Sequence, residues 1–349
     1  MIFRSSTKAL LTAALAAALG GVVVADAAAQ ARSGNRGGRQ AKAEVLFPQA
    51  TRVEPAAKGS TRLQGKLQKL FASYNKDDFE ATRSQADEII ATENANEYDK
   101  AVSAQLASQA AYNLDDMPAA KAYLEQAVAL NALDNNGHLQ ALLMLAQLQL
   151  QDEQYEPGMA NLDKFLSESA STNPEHLIIK GQALYQMERY AEAIPVLQQA
   201  ISASAEPKDN WNQLLMAAYS SSDQTGEALA VAKQIAERNP SDKRAQINLA
   251  SMYMQADQMD QAAAVMEALR TAGQLNEERE YRQLYSIYAN TENAESKVID
   301  VINEGLTKGV LKEDYQVYLA LAQSYYYTER VAEAIDAWKK AAPLSPNGE

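Results

Sequence analysis

The sequence predicts an all-α chain built from about eight stacked helix-turn-helix units. Three observations carry this: a composition that favours helix, a motif that recurs past residue 60, and small residues at a near-constant spacing. Ala, Leu, Gln and Glu dominate, while Gly and Pro number only 15 and 10 in 349 residues. Ala and unbranched side chains lose the least entropy in a helix. There is no Cys, which excludes a disulfide framework, a thiolate nucleophile and a thiolate zinc site. Stability must come from packing.

The clearest copy of the motif is GQALYQMERYAEAIPVLQQAI, Gly181 to Ile201. Gly181 lies where the first helix of a pair must be small, and Ala183 and Leu184 continue that helix. Glu188-Arg189 make the turn, and Tyr190 opens the second helix. Ala193 is the small crossing residue, Leu197 and Ala200 face inward, and Pro207 closes the unit. The small residue of the second helix sets the register at Thr82, Ala120, Gly158, Ala193, Ala228, Ala262 and Ala334. The gaps are 38, 38, 35, 35, 34 and 72 residues. The last is two units of 36, so a degenerate copy is expected near residues 278–312.

Each copy encodes two amphipathic helices and a short turn. One such pair cannot cover its own apolar face and must stack on a neighbour. Leu124, Leu162, Leu197, Met266 and Trp338 are the expected plugs of the groove to the next helix. The unit resembles the tetratricopeptide repeat (TPR), whose period is about 34 residues. The resemblance implies a right-handed superhelix of about one turn. It also implies a polar capping helix at the end, yet the sequence stops just after Pro346. Either the last copy is its own cap or the chain continues in something longer.

Before the repeats, Arg4 and Lys8 precede an apolar run from Ala9 to Val24. Ala25-Asp26-Ala27 and Ala27-Ala28-Ala29 then offer small-x-small cleavage patterns. Residues 1–29 read as a secretory signal peptide. The run falls short of the roughly 20 residues needed to span a bilayer, and no Cys follows it for a lipid anchor. The expected location is the periplasm, with no stable membrane anchor after cleavage. Residues 30–60 hold Arg32, Arg36, Arg39 and Lys42 among Gly, Ser and Asn. They read as a flexible basic linker, with Val45, Leu46 and Phe47 packing onto the first repeat. Residues 61–349 form the expected solenoid.

Charge divides at the same boundary. Residues 1–60 hold eight Lys/Arg and three Asp/Glu, a net of +5. The remainder holds 24 and 42, a net of −18. An acidic solenoid argues against nucleic acid as partner, because phosphate contacts need a basic surface. The acidity serves solubility or, on the sharper reading, receives a basic partner.

No catalytic or cofactor fingerprint is present. His138 and His176 each stand near a repeat start without a companion His or carboxylate cluster, as expected of surface helix-start residues. No nucleophile elbow, phosphate loop or dinucleotide motif occurs. The pairs Asp77-Asp78 and Asp115-Asp116 fit turn chemistry better than general acid–base work. The sequence therefore assigns no catalytic residue, no metal ligand and no cofactor. An enzyme would need a further domain.

The candidate binding residues come from the first helix of each pair, which lines the inner groove in TPRs. They are Tyr74, Asn75, Gln109, Tyr112, Asn113, Gln147, Gln182, Tyr185, Tyr219, Gln323, Tyr326 and Tyr327, with Gln151, Met216, Ser251 and Met254 beside them. Tyr gives large contact area and amides pair donors with acceptors. Such a surface suits an extended peptide held through its backbone, and a sugar chain would also fit. The competing reading is that the Tyr side chains are core.

Three stretches are not required by the repeat: KLQKLFASYNKDDFEATRSQADEI (Lys66 to Ile89), NEYDKA (Asn96 to Ala101) and LYSIYANTENAESKVIDVINEGLTKGVLKED (Leu284 to Asp314). In these the chain resembles the periplasmic TPR protein found beside TonB–ExbB–ExbD energy-transduction systems. The resemblance implies an accessory scaffold of TonB-dependent nutrient uptake, with TonB, ExbB, ExbD or a TonB-dependent receptor as partner. It supplies no catalytic residues. The alternative is an assembly factor that binds cell wall or its enzymes.

Overall fold

The computed structural model describes residues 44–56 and 58–345. The signal peptide and residues 30–43 of the expected linker lie outside the described residues. Within them, sixteen α-helices pair into eight hairpins. The chain divides into two compact units, the first ending at Ala205 and the second beginning at Glu206. The first unit holds α1 (Gln64–Tyr74) and α2 (Phe79–Ile90), α3 (Glu97–Asn113) and α4 (Met117–Leu130), α5 (Asn135–Gln151) and α6 (Tyr155–Ser169), then α7 (Pro174–Gln186) and α8 (Tyr190–Ala203). The second holds α9 (Asp209–Ser221) and α10 (Thr225–Arg238), α11 (Lys243–Gln255) and α12 (Met259–Thr271), α13 (Glu278–Ala289) and α14 (Glu295–Thr307), then α15 (Tyr315–Tyr327) and α16 (Val331–Ala341). The degenerate copy is the α13–α14 hairpin.

Every hairpin turns in the same way. One residue in the left-handed region sits two positions before the second helix: Asp77, Asp115, Glu153, Glu188, Asp223, Asp257, Asn293 and Glu329. None is Gly, although a Cβ makes this conformation costly. In the acidic pairs the second member caps the helix. Asp78 accepts from the Ala81 amide and Asp116 from the Ala119 amide. The carboxylates of these pairs are turn chemistry.

The small residue stands three positions into each second helix, and this is where the helices cross. Thr82, Ala120, Ala193, Ala228, Ala262 and Ala334 are fully buried there. The degenerate copy places Val298 at the same position. A Cβ added to Gly158 would come within 2.8 Å of Leu150 Cγ, and one on Gly181 within 2.7 Å of Leu197 Cγ. These glycines permit the close backbone approach.

The plugs Leu124, Leu162, Leu197 and Met266 are buried as expected. Trp338 is not: it remains 38% exposed against Tyr326, ring centroids 5.8 Å apart. No described helix packs beyond α16 apart from the short 3-10 turn Ala342–Leu344, so its outer face keeps contact with solvent.

The stretch before α1 also differs from expectation. Its described residues, 44–56 and 58–60, form a strap hydrogen-bonded to the first unit. The Arg52 guanidinium donates to Asn131 Oδ1, the Asn131 and Leu133 carbonyls and Asn135 Oδ1. Phe47 packs edge-on against Phe165 of α6, centroids 5.7 Å apart, rather than on the first hairpin. An aromatic ring needs an apolar partner, and the α6 end offers one.

Candidate functional site

In the first unit the expected residues fall at the ends of α1, α3, α5 and α7. Tyr74, Tyr112 and Tyr185 each stand three residues before the left-handed turn residue of their hairpin. The repeat places them alike because the turn is the same each time. Tyr74 donates its hydroxyl to Gln109 Oε1 on the neighbouring first helix. Asn113 donates to the Gln109 carbonyl at 2.8 Å, closing the last turn of α3. Asn75 and Asn113 are exposed, and Tyr74, Tyr112 and Tyr185 are half-buried. Gln109, Gln147 and Gln182 are buried. Tyr185 lies against Tyr190 of its own hairpin, centroids 5.3 Å apart. Burial, with Asp77 nearby, raises the Tyr74 phenol above its ordinary range; burial and Asp115 do the same for Tyr112. Both stay neutral hydroxyls.

In the second unit Tyr219 is buried, whereas Gln323, Tyr326 and Tyr327 are exposed. Tyr326 stands three residues before Glu329, in the register of Tyr74, Tyr112 and Tyr185. Tyr326 and Tyr327 meet edge-on, centroids 5.8 Å apart. The structure thus brings together Tyr74 with Gln109 and Asn113, and Tyr326 with Tyr327.

Sequence reasoning missed the amides that hold the strap. Asn136 grips an extended backbone at two points: its Nδ2 donates to the Glu44 carbonyl at 2.7 Å, and its Oδ1 accepts from the Leu46 amide at 3.0 Å. Asn135 donates to the Arg52 carbonyl at 3.2 Å and Asn96 to the Lys58 carbonyl at 2.8 Å. Glu54 accepts from the Asn135 amide at the start of α5, where the helix dipole favours a carboxylate. The signal was the Asn cluster at the helix starts, Asn96, Asn135 and Asn136, which reads as ordinary capping until the strap is seen.

His138 also departs from expectation. It is fully buried rather than on the surface. Its Nε2 lies 3.6 Å from Glu168 Oε2, yet burial, with Arg52 and Lys164 nearby, lowers it to about 4. His176 packs on Phe165 at 4.8 Å and accepts or donates to Ser171 Oγ at 2.7 Å. Burial lowers it to about 4 as well. Both are neutral packing groups at pH 7. Among the described residues no three His, Asp or Glu side chains converge as a metal site. No described helix is long and apolar enough to cross a membrane.

Tetratricopeptide-repeat family profiles match residues 177–207 and 219–286. These two stretches are TPR repeats, and the paired helices on either side of them are consistent with a TPR solenoid. The first of these matches contains Gly181 to Ile201, the copy most legible in the sequence. TPR architecture is a non-catalytic one, built to present surfaces for protein interaction. Similar solved structures include a TPR protein from Parabacteroides merdae, 14% identical, with 72% of this chain and 94% of that one covered at a TM-score of 0.46. The C-terminal part of a TPR protein from Cytophaga hutchinsonii is 12% identical, covering 80% and 95% at 0.46. A MamA fragment from Desulfovibrio magneticus is 22% identical, covering 50% and 97% at 0.42. No curated protein matches the sequence.

Proposed function

We propose that this chain is an exported TPR scaffold that holds an extended partner segment through amide and Tyr side chains, and that it serves TonB-dependent uptake through the outer membrane. The observation that supports the binding mode is the strap. Its extended backbone is already held by side-chain amides, with Asn136 bonded to both Glu44 and Leu46. Amides that satisfy a backbone carbonyl and amide together recognise an extended chain with little regard for its side chains. Tyr74, Gln109, Tyr112, Asn113, Tyr185, Tyr326 and Tyr327 are the residues proposed to extend this mode to a partner. The TonB link rests on the resemblance of residues 66–89, 96–101 and 284–314.

The test is a cross-linked pull-down of the tagged chain from its own cell envelope, repeated with Tyr112→Ala plus Tyr185→Ala. Recovery of TonB, ExbB, ExbD or a receptor, reduced by the double substitution, is the expected result. Undiminished recovery removes the Tyr residues from the site. Recovery of cell-wall enzymes alone moves the reading to envelope assembly.

A further inference from the structure

Under the strap, Arg52 and His138 share one carboxylate. His138 is fully buried, and neither of its ring nitrogens has a hydrogen-bond partner. Its Nε2 lies 3.6 Å from Glu168 Oε2, an oxygen that is itself buried and unbonded. That separation is too long for a hydrogen bond and becomes an ion pair only when the ring is protonated. The same carboxylate is the strongest counter-charge of Arg52, ahead of Glu54 and Asp134. The Glu168 backbone holds the strap as well, its carbonyl accepting from the Thr51 amide and hydroxyl. Lys164 on α6, 3.9 Å from Glu168 Oε1, is the other cation that bears on the ring. The second histidine lies at the strap's other anchor: His176 and Phe47 both pack edge-on against Phe165, with Glu175 the charge beside His176. The chain has no further His.

The elements around these rings differ in how firmly they are held. Helices α5 and α6 are fixed by fully buried Leu139, Leu142, Leu162 and Phe165. The strap has neither helix nor strand, and none of its described residues is fully buried. Admitting water to the rings therefore costs least where the strap lifts. We propose that the strap is a latch released by acid: a proton on His138 draws Glu168 into an ion pair, Arg52 loses its strongest counter-charge, and the strap leaves the α5 start. The direction follows from linkage. With the strap closed, the rings resist protonation until about 4, whereas a ring open to water takes its proton near 6.5. Between those values the open form binds more protons, so falling pH favours it; above them the latch stays shut. From pH 7 to pH 5 the shift amounts to at most about 20-fold per ring. This inference stands apart from the proposed function, since it invokes no partner and none of the inner Tyr residues.

Hydrogen exchange of the full chain at pH 7 and pH 5 tests it, read as protection relative to the unstructured rate at each pH. The Leu46 and Thr51 amides, bonded to Asn136 Oδ1 and the Glu168 carbonyl, are expected to lose about tenfold or more of their protection at pH 5. The amides of α3 and α5 are expected to keep theirs. The loss should shrink in His138→Gln and vanish when His176→Gln is added. Strap protection that ignores pH overturns the proposal, and so does an undiminished loss in the double variant. A loss shared equally by α3 and α5 is acid unfolding of the unit and overturns it too. Should the variants of the buried rings misfold, Arg52→Ala, a change in the strap alone, carries the test. With the latch weakened, His138 is expected to protonate at higher pH than in the native chain, followed by NMR titration. The same titration in both proteins overturns the coupling.

Discussion

Single residues decide how closely the helices of a pair approach. Gly181 faces Leu197 across its hairpin, and a Cβ there would sit 2.7 Å from Leu197 Cγ. Ala is the better helix former by about 1 kcal/mol, but Leu197 is fully buried and has nowhere to go. Gly181→Ala is therefore expected to destabilise the protein by about 1–2 kcal/mol, read as a lower urea midpoint. The two His give a second prediction. Each is lowered to about 4 in the fold, chiefly by burial, from about 6.5 in the unfolded chain. Between those values the unfolded chain binds more protons, so stability rises with pH. It is full above about 6.5 and is lost as pH falls toward 4, by about 2 kcal/mol per buried ring. Glu267, Glu280, Glu304 and Asp314 are held below the usual carboxylate range even though burial opposes it, by Arg270, Lys243, Lys308, Arg282 and nearby backbone amides. Their contribution disappears only at lower pH. Urea midpoints of the native chain and of His138→Gln with His176→Gln, compared at pH 7 and 4.5, check this; equal slopes would count against it.

At the scale of elements, the strap behaves as a ninth piece of the first unit. It reaches the α5 start through Arg52, Glu54 and Leu46, and the α6 end through Phe47 and Thr51. The Thr51 amide donates to the Glu168 carbonyl at 2.8 Å. The amides of Leu46 and Thr51 are thus expected to be protected from hydrogen exchange. Arg52→Ala removes bonds worth about 1–3 kcal/mol and should accelerate exchange at both amides, leaving the α1–α2 hairpin unaffected. Equal rates in the two proteins would mean the strap is held by other contacts. The helices themselves were legible in the sequence, including the degenerate α13–α14 pair, because spacing alone demanded it. The strap was not. The linker reading came from the Arg, Gly and Ser of residues 30–42, and the strap's binding partners lie some 40 to 120 residues away, from Asn96 to Glu168.

At the scale of the molecule, charge is the property that reaches a partner first. Residues 61–349 carry a net −18, from 24 basic and 42 acidic side chains. A Lys-rich partner segment is therefore expected to associate faster at low salt. Raising the ionic strength from about 0.05 to 0.5 M shortens the screening length, and the association rate should fall several-fold with little change in dissociation. A rate unmoved by salt would leave solubility as the whole account of the acidity. The candidate inner-face residues were legible in register but not in exposure. Tyr74, Tyr112, Tyr185 and Tyr326 share one place before the turn, whereas Gln109, Gln147, Gln182 and Tyr219 are buried.

Periodicity by itself determined the helical class, the number of hairpins, the crossing residues and the turns. These depend on contacts within about 35 residues, and a repeat records its local rules once per copy. The tertiary structure decided what lies between distant residues and what covers each face. It put His138 in the interior, tied Arg52 to Asn131 and Asn135, and left Ile335 and Trp338 in contact with solvent. The reason is physical: burial belongs to the neighbours a residue acquires in space, and equivalent positions in repeated helices differ where no described hairpin packs against one of them.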